Sequence, residues 1–259
     1  MSDQLTRAAE LLFDAHRLAR PVSPLTQSFP GLTVGDAYAI QRLNLARHLH
    51  RGAVQCGHKI GLTSAPMQQL LGVDEPDFGY VLDDMVLADG AAVPTGTLCA
   101  PRVEPEVAFR IGVPLRGPGV SAADVMAAAE AVAPALEIVD SRIADWRITL
   151  ADTIADNASS GAVVLGEWVP IAEAPRLPDT TATLMVNGST VDTGEGAAVM
   201  GDPAEAVAWL ANALAAYDIA IDAGQFVMSG SYTTAAFVVS GDRASAHLSG
   251  LGTVTVAFE

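Results

Sequence analysis

Positive charge is scarce in this sequence. Its 259 residues carry 14 Lys+Arg against 30 Asp+Glu, a formal net charge of −16 with His neutral. Without a cationic surface there is nothing to release counterions from phosphates, which argues against nucleic-acid binding and against docking on anionic lipid. Cysteine is nearly absent. Cys56 and Cys99 are too few for a disulfide framework or a zinc-type cluster. No apolar run approaches the roughly 20 residues of a membrane span. The opening MSDQLTRAAELLFDAHRLAR mixes charges through its apolar positions, unlike a secretory signal. A soluble cytoplasmic protein is expected. What the chain has in plenty is apolar: 50% of residues are hydrophobic and 17% charged, enough to fill a real core. The length fits one large domain, or one domain with a small appendage.

Lysine is the rarest basic residue. Thirteen of the 14 cations are Arg and one is Lys59. Biased coding composition accounts for such a ratio. A functional account is also open, because an ammonium can be tuned to release a proton near neutrality whereas a guanidinium stays charged.

Leu5, Ala8, Leu11, Leu12 and Ala15 follow a helical spacing. A turn-rich stretch from Arg20 to Leu32 precedes a second helix, with Thr33 and Asp36 as its capping pair and Gly52 as its stop. A short third helix is expected over 64–71. Beyond residue 79 strand signals dominate. Arg102 to Ile111 alternates, and Pro105 within it predicts an edge or bulged strand. A helix from Ser121 through Val132, a buried strand over Ala135–Val139, an Asn187-Gly188 hairpin and a helix from Asp202-Pro203 to about Tyr217 follow. Short strands close the chain. The pattern is a small helical start and a larger mixed domain closed by antiparallel strands.

Glu104 and Glu106 are two apart on a strand, so their side chains share a face, while Val103, Val107 and Phe109 take the other. Either that face is solvated, or a cation sits between the carboxylates. Glu137 lies in the apolar run Ala133-Pro-Ala-Leu-Glu-Ile-Val139. A carboxylate there must be paired or ligate a metal. Arg142 is the nearest cation in sequence, and the competing arrangement puts Glu137 with Glu104 and Glu106 on one hard divalent ion. Gly57-His-Lys-Ile-Gly61 places Lys59 between glycines, as a surface lysine in a loop or as a functional one. Asp77 reads as a turn residue, and Asp156-Asn-Ala-Ser-Ser-Gly161 as a polar loop able to offer donors to an anion.

These segments occur in a definite order. Lys59-Ile-Gly-Leu-Thr-Ser64, Met67-Gln68, Gly72-Val-Asp-Glu-Pro-Asp-Phe-Gly79, Asp84-Met85, Pro101-Arg-Val-Glu-Pro-Glu106, Pro134-Ala-Leu-Glu-Ile-Val-Asp-Ser-Arg-Ile143 and Asp156-Asn-Ala-Ser-Ser160 together resemble the 2-hydroxypenta-2,4-dienoate hydratase (2-oxopent-4-enoate hydratase) family. That family includes 4-oxalocrotonate decarboxylases and belongs to the fumarylacetoacetate hydrolase superfamily. The resemblance runs over nearly the whole chain. It implies an α+β fold: a mixed, twisted β-roll over 73–259 that binds metal and carries catalysis, with a helical N-terminal cap over 1–72. It also implies Glu104, Glu106 and Glu137 as ligands of Mg²⁺ or Mn²⁺, Lys59 and Asp77 as catalytic groups, and Ser159, Ser160 and Thr233 at the substrate. Members are commonly homo-oligomers, and association with a neighbouring pathway enzyme is a further expectation.

The implied reaction adds water to a 2-hydroxy-2,4-dienoate, giving a 4-hydroxy-2-oxoalkanoate in aromatic or steroid-ring catabolism. Ser229-Gly-Ser-Tyr-Thr233 looks closer to hydratases than to decarboxylases. Three rivals stand beside it. A decarboxylase would use the same chelate. A C–C bond hydrolase would want a His–Glu pair in the cap, where His16, His48 and His50 form no such motif. A non-catalytic subunit would not need Lys59 and the three glutamates intact.

Overall fold

The computed structural model describes residues 3–64, 66, 68, 69 and 72–259. The chain opens with helix α1 (Asp3–Leu18), the single turn α2 (Leu25–Ser28) and helix α3 (Val34–His50). Thr33 and Asp36 cap α3 reciprocally, each side chain accepting from the other's backbone N–H, as expected. The helix expected over 64–71 falls in part on residues 65, 67, 70 and 71, outside the described residues.

Strands then follow: β1 (Gln55–Gly61), β2 (Asp77–Leu82), β3 (Val86–Ala88), β4 (Ala91–Val93), β5 (Pro101–Ile111), β6 (Ala129–Asp140) and β7 (Ser160–Leu165). After them come β8 (Val169–Pro170), β9 (Thr181–Val186), β10 (Ser189–Glu195), β11 (Phe226–Met228), β12 (Ala236–Phe237), β13 (Arg243–Leu248) and β14 (Gly252–Phe258). Helices α4 (Ala122–Ala128), α5 (Leu150–Ala155) and α6 (Pro203–Leu214) are interspersed. A nine-stranded mixed sheet has the order β2-β1-β11-β5-β6-β7-β3, with β12 added on β5 and β8 on β6. A second sheet, β10-β9-β13-β14-β4, packs across it and includes the expected Asn187-Gly188 hairpin, both turn residues at positive φ.

Three sequence expectations are corrected. The Lys59 segment is a central strand rather than a loop: β1 pairs with β2 on one side and β11 on the other. The helix from Ser121 ends at Ala128, and the chain continues as a 12-residue strand, because β6 pairs with β5 along nearly its whole length. Finally, β5 is neither an edge strand nor bulged at Pro105. The Pro105 and Val107 carbonyls accept from the Tyr232 and Ser229 N–H groups, on the side away from β6. A residue's N–H and C=O point to the same side of a strand. The donor that Pro105 lacks would therefore face the gap between β11 and β12, and no rung of the β5/β6 ladder is lost.

Alternation with period two splits the large sheet into two faces. Ile60, Phe78, Val103, Val107, Phe109, Leu136, Ile138 and Val164 point into the main core, against the helices and the second sheet. The opposite face carries a small apolar cluster of Val81, Ala108, Ala135, Val163, Phe226 and Met228. Lys59, Asp77, Glu104, Glu106 and Glu137 share that second face by register.

Candidate active site

Register brings the acidic residues together. Glu104 lies directly opposite Glu137 in the antiparallel β5/β6 pair, and Glu106 opposite Ala135. Directly opposed side chains project from the same face, so all three carboxylates converge. One oxygen from each lies within 4.8 Å of the others. Glu106 and Glu137 are buried, and Glu104 is the half-buried member that borders the cavity.

Lys59 and Asp77 arrive from β1 and β2. Asp77 pairs with Gly61, two residues from Lys59, so both side chains reach the same face. Gly61 is needed by its neighbours: a Cβ there would fall on Asp77 Oδ1 and stand 3.3 Å from Lys59 Nζ. The ammonium lies 3.4 Å from Glu137 Oε2 and donates to the Ala158 carbonyl at 2.8 Å. It is only 3% exposed. Glu106 Oε2 accepts from the Gly230 N–H at 2.8 Å. Gly230 sits at φ +110, with Thr63 where a side chain would go.

The Ala158 carbonyl is held in place at a conformational cost. Asn157, Ala158 and Ser159 all have φ between 50° and 55°, each worth about 1–3 kcal/mol of strain for a non-glycine residue. Arg142 enforces the turn. Its backbone N–H and Nε bind the two Asp156 oxygens at 2.8 and 2.6 Å, and its remaining donors take the Asp140, Asp156 and Ser160 carbonyls. Asn157 adds a side-chain amide that pairs with both backbone groups of Tyr80. Arg142 is therefore not the partner of Glu137, as its closeness in sequence had allowed. Removing the guanidinium strands a buried carboxylate. Arg142→Met is expected to cost about 3–5 kcal/mol in a denaturant unfolding titration.

The cavity above these groups has a volume of about 250 Å³. Lys59, Asp77, Glu104, Ser159 and Thr233 line it, with Trp146 among its apolar walls. Ser160, expected at the substrate, is not in this lining: its hydroxyl lies beside Glu137, and the residue also borders a larger cavity. That cavity, about 540 Å³, also takes His16 and His48. Among the described residues it holds no comparable cluster of carboxylates. His58 points away from Lys59 into the main body of the fold, where burial lowers its pKa to about 4 and keeps it neutral.

Among the described residues Glu106 Oε1 and Glu137 Oε1 are buried with no hydrogen bond of good geometry, Glu137 Oε2 has the Lys59 ammonium 3.4 Å away, and the Asp77 oxygens have the Thr153 hydroxyl and the Gly61 N–H near them but no well-formed bond. Burial, then repulsion from Glu137, pushes Glu104 up to about 7, and the same two causes hold Glu106 well above the usual carboxylate range. Burial raises Glu137 and Asp77 also, against the pull of Lys59. For Lys59, burial works against the charge, but Glu137, Asp77, Glu104 and Glu106 outweigh it and the pKa rises. Orphaned, mutually repelling oxygens with no nitrogen or sulfur donor among them fit a hard divalent cation.

A pH dependence follows. A folded carboxylate raised from 4.5 to about 7 makes the ion-free protein lose stability as pH climbs through that interval, because the folded state holds the extra proton. A cation must displace that proton. Its apparent affinity is expected to rise with pH through that interval, with proton release detectable by calorimetry in buffers of different ionisation heat.

Arg102 and Trp146, which line the cavity, and Gly230, which binds Glu106, belong to the site without having been expected there. Arg102 was findable: it stands two residues before Glu104 and so shares its face. Gly230 and the Ala158 carbonyl act through backbone groups, which residue types do not advertise.

Comparison with known proteins gives the chain its relatives. The fumarylacetoacetate (FAA) hydrolase C-terminal family matches residues 42–259. A 2-hydroxyhexa-2,4-dienoate hydratase of Comamonas testosteroni is 44% identical, over 100% of this chain and 99% of that one. A 2-keto-4-pentenoate hydratase of Paraburkholderia xenovorans is 43% identical, over 99% and 95%. The solved structure of 4-oxalocrotonate decarboxylase from Pseudomonas putida G7, complexed with magnesium and adipate, superposes with a TM-score of 0.96 at 35% identity, over 99% and 98%. With a family match that takes in both carboxylate strands and the lysine strand, and relatives similar from end to end, the chain belongs to the fumarylacetoacetate hydrolase family.

Proposed function

We propose that this chain is a metal-dependent hydro-lyase that adds water to a 2-hydroxy-2,4-dienoate and releases a 4-hydroxy-2-oxoalkanoate. The observation that carries the reading is the meeting of three carboxylates within 4.8 Å beside a cavity that Lys59 and Asp77 also line. Hydratases of such dienoates among the relatives support it. Glu104, Glu106 and Glu137 hold the ion, Mg²⁺ or Mn²⁺, as the all-oxygen donor set favours. When bound, the ion supplies a Lewis acid for the substrate's carboxylate and C2 oxygen.

The protein's own groups manage the protons and the water. The enol proton leaves the C2 oxygen and C5 gains one, which gives a 2-oxo-3-alkenoate whose C4 is electron-poor. Water then adds at C4 and a proton arrives at C3, so the balance over the reaction is one water gained. Lys59, kept charged by the carboxylates around it, holds the proton to be delivered. Asp77, on the cavity wall, takes the proton of the attacking water and orients it. Acid–base groups placed in this way contribute about 10²–10⁴-fold. Ser159 and Thr233, on the cavity wall, bind the substrate. A homo-oligomeric assembly and a cytoplasmic location belong to the same reading. Among the described residues no helix is long and apolar enough to cross a membrane.

A second reading, decarboxylation of a 2-oxo diacid, is favoured by the close superposition on the decarboxylase. The products separate them. Purified protein with Mg²⁺ or Mn²⁺, given 2-hydroxypenta-2,4-dienoate, is expected to form 4-hydroxy-2-oxopentanoate. Release of CO₂ from a 2-hydroxymuconate-type diacid, without hydration of the monoacid, would replace the proposal with its rival.

A further inference from the structure

We propose that Arg102 binds the substrate's C1 carboxylate together with the ion, and that it sets the direction in which the substrate lies in the cavity. The inference rests on the hydratase reading above. Arg102 stands on the same face of β5 as Glu104, two residues or about 6.5 Å nearer one end of the strand, and lines the same cavity. Its guanidinium is packed 4.1 Å from the centre of the Trp146 ring and 4.0 Å from that of Phe237. The Trp146 ring is held by its indole N–H, which donates to the Ala100 carbonyl at 3.1 Å, and Phe237 lies directly opposite Arg102 in the strand register. Stacking of this kind uses the flat faces of the guanidinium and leaves its N–H edge for a planar anion.

Among the described residues Arg102 makes no ion pair, and its buried Nε meets no acceptor. Arg142, the fully buried arginine, shows the contrast, with Asp156 and three carbonyls filling its donors. Charge points the same way. Glu104, Glu106, Glu137 and Asp77 together outweigh Lys59 and a divalent ion by one negative charge, which would repel an anionic substrate. Arg102 brings the site to neutrality before the substrate enters. Direction follows from where the chemistry must occur. C3 to C5 have to reach Lys59 and Asp77, on β1 and β2. The carboxylate end is then left to β5, where Arg102 stands beside the 65% exposed Phe237.

The test uses full-length protein loaded with Mn²⁺ and three unreactive probes: 2-oxopentanoate, its uncharged C1 amide, and the diacid 2-oxohexanedioate. Dissociation constants come from calorimetry, and Mn²⁺ binding is measured first without any probe. Arg102→Gln is expected to weaken 2-oxopentanoate about 10- to 100-fold, the loss of a charge-assisted pair, without weakening Mn²⁺. The amide, which has no charge to lose, is expected to bind the variant and the parent alike. Arg102→Lys keeps the charge but not the fork. It is expected to weaken 2-oxopentanoate about tenfold, and it serves if the Gln variant does not fold. Unchanged 2-oxopentanoate binding, or weakening confined to the diacid, overturns the proposal. Failure of the parent protein to bind Mn²⁺ overturns the metal site itself, and this inference with it.

Discussion

Glu106→Gln is expected to abolish divalent-ion binding and turnover together. Glu106 is 1% exposed, and one of its oxygens is already committed to the Gly230 N–H. The other is free for the ion and has no substitute nearby. The amide keeps the size of the side chain but removes its charge, and it turns a donor group toward Glu104 and Glu137. Losing a partner that merely orients a ligand costs roughly 10- to 100-fold in metal affinity, so losing a ligand is expected to exceed that range. Titration with Mn²⁺, alongside a turnover assay, checks both halves. Ion-dependent turnover at the parent's rate would show that the three carboxylates are not the metal site.

Lys59 should separate chemistry from metal binding. Lys59→Met removes the ammonium between Glu137 and the Ala158 carbonyl while keeping an unbranched stem of similar length. Turnover is expected to fall about 10²–10⁴-fold, the range for a positioned acid–base group. Mn²⁺ binding is expected to persist or tighten, because a competing positive charge has gone. Lys59→Arg should lose most turnover too. A planar guanidinium does not fit the place of a tetrahedral ammonium that is 3% exposed, and it does not give up its proton. Parent-like rates in both variants would reduce Lys59 to a structural cation.

Several parts of the molecule are legible in the sequence by itself. The Thr33/Asp36 capping pair and the Asn187-Gly188 turn each act through neighbours in sequence, so local chemistry was enough to read them. The shared face of Glu104 and Glu106 follows from strand periodicity alone. Pro105 misled for the opposite reason. Whether a missing donor breaks a ladder depends on which side of the strand it faces, and only the partners of that strand decide it. Arg142 misled in the same way. It follows Glu137 by five positions, yet its guanidinium turns to Asp156 and the strained loop.

The residue types themselves determined that this is an acidic, core-forming chain with one lysine and a set of carboxylates that apolar surroundings would leave in need of a cation. Their ordered motifs pointed to the family. Tertiary structure alone decided that Glu137 faces Glu104 across a strand pair, that β1 and β2 bring Lys59 and Asp77 to the same face, and that Arg102 has no ion-pair partner among the described residues. The physical reason is register. Sliding one strand by one residue turns every side chain to the other face, and nothing within a strand records which neighbour it will meet.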